Sequence, residues 1–167
     1  MKASLNLRLF YKLKVNVLCI IMELSIEGGN NMVNAMSIAL SGLLAQGQRL
    51  AASASNIANV ATEGALPTAE SPGSTVYKPL SVSFEALMAG GSGAGVIAHV
   101  SENKDGYVPV YDPASVYANS DGVVAAPAVD LVAESVNILE TKSLYKANLA
   151  VLKTQNDLLG ELLNIVS

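Results

Sequence analysis

The sequence predicts an α+β chain in which two long terminal helices pair as a coiled-coil-like hairpin, with a small β-rich segment between them. Three observations carry this. Apolar and small residues recur in alternating steps of four and three from Met36 to Ala61. A second series recurs every seven residues from Leu131 to Val166. The stretch between, Thr62 to Ala128, holds all six prolines and short runs of Val and Tyr that suit strands. With 51% hydrophobic residues, no Trp and few aromatics, the core must be aliphatic, which suits helix packing.

Residues 1–31 read as a separate unit. Leu5, Leu7, Leu9, Tyr11, Leu13, Val15 and Val17 alternate as in a strand. Basic residues ahead of the apolar run Val15 to Met22 give it a targeting-like character, but the run is too short to span a bilayer and no small-residue cleavage site follows. A third reading is a non-native extension from an upstream start. Glu27, Gly28 and Gly29 can be encoded GAA-GGA-GGN, which contains the ribosome-binding string AGGAGG just ahead of Met32. Translation from Met32 would give a cysteine-free chain with six Lys plus Arg against twelve Asp plus Glu.

Residues 32–64 form the N-terminal helix and its exit. The stripe is Met36, Leu40, Leu43, Gly47, Leu50, Ala54, Ile57 and Ala61. Its second half, LAASASNIANVA, is built of small side chains, so a partner helix can approach closely there. Arg49 is the only charge between Met36 and Ala61, which predicts a helix covered on several sides. Asn56 and Asn59 are poor helix formers three residues apart. Either Asn59 ends the helix near Gly64 while Asn56 meets solvent, or the two make hydrogen bonds between helices or subunits.

Residues 65–128 form the β-rich and loop insert. GYVPVY and GVVAAP predict brief strands, and AGGSGAG, Ala89 to Gly95, predicts a flexible loop. Residues 129–167 form the C-terminal helix, with Asp130 near its start after Pro127. Leu131, Ile138, Tyr145, Leu152, Leu159 and Val166 make its stripe, joined by Leu149 and Leu163. Neither helix buries its stripe alone, and pairing with the other is the economical solution.

Candidate chemistry is sparse. A net charge of −4, with no basic cluster after the first fourteen residues, argues against a nucleic-acid partner. The single Cys19 excludes an internal disulfide and a Cys-based zinc site. GGSGAG lacks the Lys-Ser/Thr of a phosphate loop. SENKDGYVPVYD has Ser at the first calcium-loop position and Asp112 in place of the bidentate Glu, so it reads as a polar turn before a strand. His99 reads as a strand residue with one hydrogen bond, and the carboxylates of the last helix as salt-bridged surface. No catalytic, metal or cofactor site is assigned, and neither a small-molecule substrate nor a membrane span is expected.

ALSGLLAQGQRLAASASNIANVATEG, Ala39 to Gly64, resembles the N-terminal signature of bacterial flagellar axial proteins, with a Ser-Gly-Leu start and an Asn-Ile-Ala-Asn…Thr-x-Gly end. Val110 to Ile165 is similar to the FlgC family of proximal rod proteins. It has Tyr-Asp-Pro at 111–113, Asp121-Gly122 and Pro127-x-Val129 before the helix, and Tyr-x-Ala-Asn at 145–148. Ala65 stands where an aromatic residue is usual, Ala128 where Asn is, and Leu144 near a common Arg, departures that fit a divergent paralogue. The resemblance implies a structural subunit of the periplasm-spanning rod, exported unfolded by the flagellar type III system, with other rod and basal-body proteins, and itself, as partners. It implies that Asn56 and Asn59 bond across packed helices or to backbone near Thr62 and Gly64. The assembly interface is assigned to Leu40, Leu43, Gly47, Leu50, Ala54, Asn56, Ile57 and Asn59 on the first helix, and to Leu131, Ile138, Tyr145, Asn148, Leu152, Leu159 and Leu163 on the second. Another rod or hook-basal axial protein is the alternative within this class. A soluble ligand-binding or enzymatic α+β domain, with helices covering a sheet, is the alternative outside it.

Overall fold

Helix α1 occupies residues 32–59 of the computed structural model, which describes residues 32–68, 75–104 and 106–166; the extension expected over 1–31 lies outside these. Four strands and a second helix follow: β1 (Leu80–Ala89), β2 (Ser92–Glu102), β3 (Tyr107–Tyr111), β4 (Val123–Pro127) and α2 (Leu131–Val166). The class is α+β, with two antiparallel two-stranded sheets, β1–β2 and β3–β4.

Asn59 ends α1. Its carbonyl accepts from Thr62 N at 3.0 Å and from Thr62 Oγ1 at 2.7 Å, while its own amide donates to Ser55 O at 2.8 Å. Gly64 has a different task from stopping the helix. It exchanges two 2.9 Å backbone hydrogen bonds with Ala125, adding an isolated bridge to the outer side of β4. A Cβ on Gly64 would strike Val76 N and lie 2.7 Å from Val76 Cα, so only glycine lets the 75–76 backbone cross there.

The glycine-rich run departs from the flexible loop expected of it. β1 and β2 pair up to Ala89 and Ser92, leaving Gly90 and Gly91 as a two-residue turn with φ of 58° and 83°. Positive φ at both central residues is the type I′ geometry, whose twist matches that of the strands, so the glycines tighten the hairpin. Register slips at Leu87/Met88, where Ala94 is the extra residue between Gly93 and Gly95. In the other sheet Pro109 faces Ala125. Ala125 spends its N–H and carbonyl on Gly64, so this position asks no donor of Pro109.

The β1–β2 hairpin lies along α1. Asn56 holds Leu80, and the Ser41 hydroxyl accepts from Val96 N at 3.1 Å. The fifteen-residue helical step between Ser41 and Asn56 is about 22 Å. The strand step from Leu80 to Ala86, which pairs with Val96, is about 20 Å, so one hairpin fits between the two anchors. Asp130 caps α2 by accepting from Val132 N at 2.8 Å and Ala133 N at 3.1 Å, as its position predicts. Among the described residues the apolar core is small: Ala39, Leu43, Ala45 and Ala52 on α1, with Val76, Val124 and Ala125.

Candidate assembly interface

Contacts between α1 and α2 start from an unusually polar set of residues. Asn56, 2% exposed, uses all four hydrogen-bonding valences of its amide. Nδ2 donates to Glu134 Oε1 at 2.6 Å and to Leu80 O at 2.9 Å; Oδ1 accepts from Leu80 N at 2.7 Å and from the Tyr77 hydroxyl at 2.9 Å. Glu134 Oε2 in turn accepts from Asn137 Nδ2 at 3.4 Å. Arg49 Nη2 donates to Asn137 Oδ1 at 2.9 Å and to Glu140 Oε2 at 2.8 Å. One network therefore ties α1, α2 and the start of β1. Arg49 also stacks over Phe84 of β1, its guanidinium carbon 5.9 Å from the ring centre.

Further along, α1 thins to admit α2. A Cβ on Gly42 would lie 2.7–2.9 Å from the Asn148 amide atoms, so Gly42 makes the room Asn148 occupies, and Asn148 Nδ2 donates to Leu144 O at 3.1 Å. The Ser-Gly-Leu and Tyr-x-Ala-Asn motifs thus meet face to face. Seven-residue steps along α1 through Gly42, Arg49 and Asn56 are matched by contacts at Asn148, Glu140 and Glu134, so the helices run antiparallel. Ala39, Gln46 and Ser53, all buried, repeat at the same interval one turn away. Gln46 Oε1, Thr141 Oγ1 and Gln155 Oε1 are buried without a hydrogen-bond partner among the described residues, so this seam is polar beyond what it satisfies internally.

The expected leucine stripe lies mostly to one side of this contact. Of its assigned positions, Leu43 and Asn56 are buried, and Ile57, Asn59, Ile138, Asn148 and Leu152 are half-buried. Leu40, Gly47, Leu50, Ala54, Leu131, Tyr145, Leu159 and Leu163 are exposed, with Leu40 at 51% and Leu163 at 72%. Leu50, Ile138 and Tyr145 do come together, with Leu149, around an apolar groove of about 470 Å³. The two asparagines divide their work: Asn56 bonds across helices, and Asn59 ends its own helix. Leucines marked the stripe because heptad reading weights apolar side chains, whereas the facing positions are Gly, Arg, Asn, Gln and Ser.

Sequence reasoning left Ser41, Gly42, Arg49, Tyr77 and Glu134 unassigned. The available signal was Arg49, the one charge on an otherwise uncharged helix: a lone cation kept there has a partner elsewhere. His99 sits on β2 with Nε2 2.9 Å from Glu85 Oε2, both side chains more than half exposed. The polar turn expected before β3 is present, with Gly106 N donating to Asn103 O at 3.1 Å. A cleft of about 440 Å³ opens beside Arg49, Phe84 and Glu134. The described residues include no group of three or more His, Cys, Asp or Glu placed to hold a metal ion, and no helix among them is long and apolar enough to cross a membrane.

Comparison with known proteins bears on this geometry. Residues 36–65 match the family model described as flagella basal body rod protein, and they include Ser41, Gly42, Arg49, Asn56 and Gly64. The flagellar basal-body rod protein FlgC of Escherichia coli O6:H1 is 33% identical over 136 residues, covering 80% of this chain and 97% of that protein. The FlgC protein of Salmonella typhimurium is 32% identical over the same shares of each chain. That of Bacillus subtilis is 26% identical over 146 residues, 79% of this chain and 96% of its own length. The motifs that face each other across α1 and α2, the match over α1 and the near full-length likeness to the relatives agree: the chain belongs to the FlgC family of flagellar basal-body rod proteins.

Proposed function

We propose that this rod subunit polymerises through its terminal helices, which form a coiled-coil-like hairpin, and that as part of the periplasmic rod it transmits torque from the motor base toward the hook. Its partners are neighbouring rod and basal-body proteins and further copies of itself. It carries out no catalysis. It reaches its place unfolded, through the flagellar type III export route, with its N-terminus uncleaved.

One observation supports this most. The bonds that join α1 to α2 are polar ones, from Asn56 to Glu134 and from Arg49 to Asn137 and Glu140, while Leu40, Leu44, Leu139, Leu144, Leu162 and Leu163 stay 39–72% exposed. An apolar surface of that kind on both helices costs solubility unless another protein covers it, at about 25 cal/mol per Å² buried. A self-contained ligand-binding domain would turn its leucines inward.

The test is removal of Ala147–Ser167 from the chromosomal copy. The truncated chain is expected to be absent from purified basal bodies and the cells non-motile. Ordinary swimming by that strain overturns the reading.

A further inference from the structure

We propose that the apolar groove between α1 and α2 receives the C-terminal end of α2 from a second copy of this chain, in a parallel, head-to-tail contact. The proposal rests on the rod-subunit reading and names the surface that reading leaves open. The groove is lined by Leu50, Ile138, Tyr145 and Leu149, with Lys142 and Lys146 along its edge. Two lysines at i and i+4 repel each other on a free helix. The end of the same helix carries the complement: Asp157 and Glu161, again at i and i+4, beside exposed Leu158, Leu162 and Ile165. Among the described residues none of these four charges is in an ion pair.

Helix geometry selects the direction. At 100° per residue, the apolar positions of the groove come just before the lysines around the helix, whereas those of the tail come just after the carboxylates. When two helices face each other in parallel, these orders oppose, so apolar edge meets apolar edge and Lys meets carboxylate. An antiparallel approach would set the charges of each on the leucines of the other. The parallel match pairs Lys142 with Asp157 and Lys146 with Glu161, an offset of fifteen residues, or about 22 Å of rise per copy. Such a contact uses two different patches of the same molecule, so it repeats without closing and builds a filament.

Charge reversal in the full chain tests it. Lys142→Glu with Lys146→Glu makes groove and tail both acidic; Asp157→Lys with Glu161→Lys makes both basic. Each variant alone should self-associate at least about tenfold more weakly than the unmodified chain in sedimentation velocity. An equimolar mixture should recover association, because each groove then meets a tail of opposite charge. In a Cys19→Ser background, Lys146→Cys mixed with Glu161→Cys should form a disulfide between chains, a readout that does not depend on reversed charges folding well. An unmodified chain that stays monomeric, a single variant that associates normally, or a mixture without recovery overturns the contact. Recovery of the unmodified chain in basal bodies alongside a failed mixing test leaves the rod reading standing and the contact refuted. Its absence from basal bodies alongside successful mixing does the reverse.

Discussion

Asn56 and Leu80 are joined as two strand residues would be. The side-chain amide donates to the Leu80 carbonyl at 2.9 Å and accepts from the Leu80 N–H at 2.7 Å, so one asparagine on a helix supplies the pairing that begins β1. The remaining valences go to Tyr77 and Glu134. Asn56 is therefore the point at which the hairpin, α1 and α2 agree on their positions.

Replacing Asn56 by Ala leaves the Leu80 N–H and the Leu80 carbonyl without their side-chain partner at a site that is 2% exposed, while the Tyr77 hydroxyl keeps Ser55 Oγ at 2.9 Å. Each orphaned group costs about 1–3 kcal/mol, so a total loss of about 3 kcal/mol is expected in urea unfolding. Asn56→Asp should be as damaging, since it deletes both donors and sets a second carboxylate beside Glu134. A loss under about 1 kcal/mol for either would refute the clasp.

Gly42→Ala places a methyl 2.7–2.9 Å from the Asn148 amide atoms. The expected loss is about 1–3 kcal/mol. Because the obstacle is a side chain, Asn148→Ala in the same chain should restore part of it, with a coupling above about 0.5 kcal/mol in a double-mutant cycle. Strict additivity would mean that the two helices do not meet there.

Gly64→Ala meets backbone instead, at Val76, and no neighbouring truncation can relieve it. We expect a loss of at least about 2 kcal/mol, together with faster amide exchange at Ala125, whose N–H is held by Gly64 O at 2.9 Å. Unchanged protection at Ala125 would count against the bridge.

At the hairpin tip the two glycines should differ little in space and much in sequence tolerance. Gly90→Asn is expected to fold with equal or slightly higher stability, because Asn accepts the first position of a type I′ turn. Gly91→Val forces a β-branched residue to φ near 83° and should cost about 1–2 kcal/mol or more. Thermal unfolding of the two variants decides it.

Much of the architecture was legible in the sequence because each element announces itself locally. The Asp130 cap fixed the start of α2, and GYVPVY and GVVAAP marked β3 and β4. The glycine run was misread because composition alone cannot separate a floppy loop from a turn that needs two positive φ values; the flanking apolar residues Leu87, Met88 and Val96 held the missing signal. Of the contact between α1 and α2, heptad spacing gave the period and included Asn56 and Asn148, but weighting apolar side chains passed over Gly42 and Arg49, which meet Asn148 and Glu140 across the helices. Tyr77 and Glu134 were out of reach, because their roles arise from contacts 21 and 78 residues away from Asn56.

The bond from Arg49 to Glu140 spans 91 residues, whereas the β1–β2 hairpin closes over a turn of two. Loop closure of the first kind is slow, and of the second takes microseconds. During synthesis, therefore, a hairpin can form on α1 long before the helix that completes it has arrived. Through that interval the polar side of α1 is open to any helix bearing a suitably placed glutamate. Whether a molecule ends up folded upon itself or stitched to a neighbour is then a race, decided by which helix arrives first.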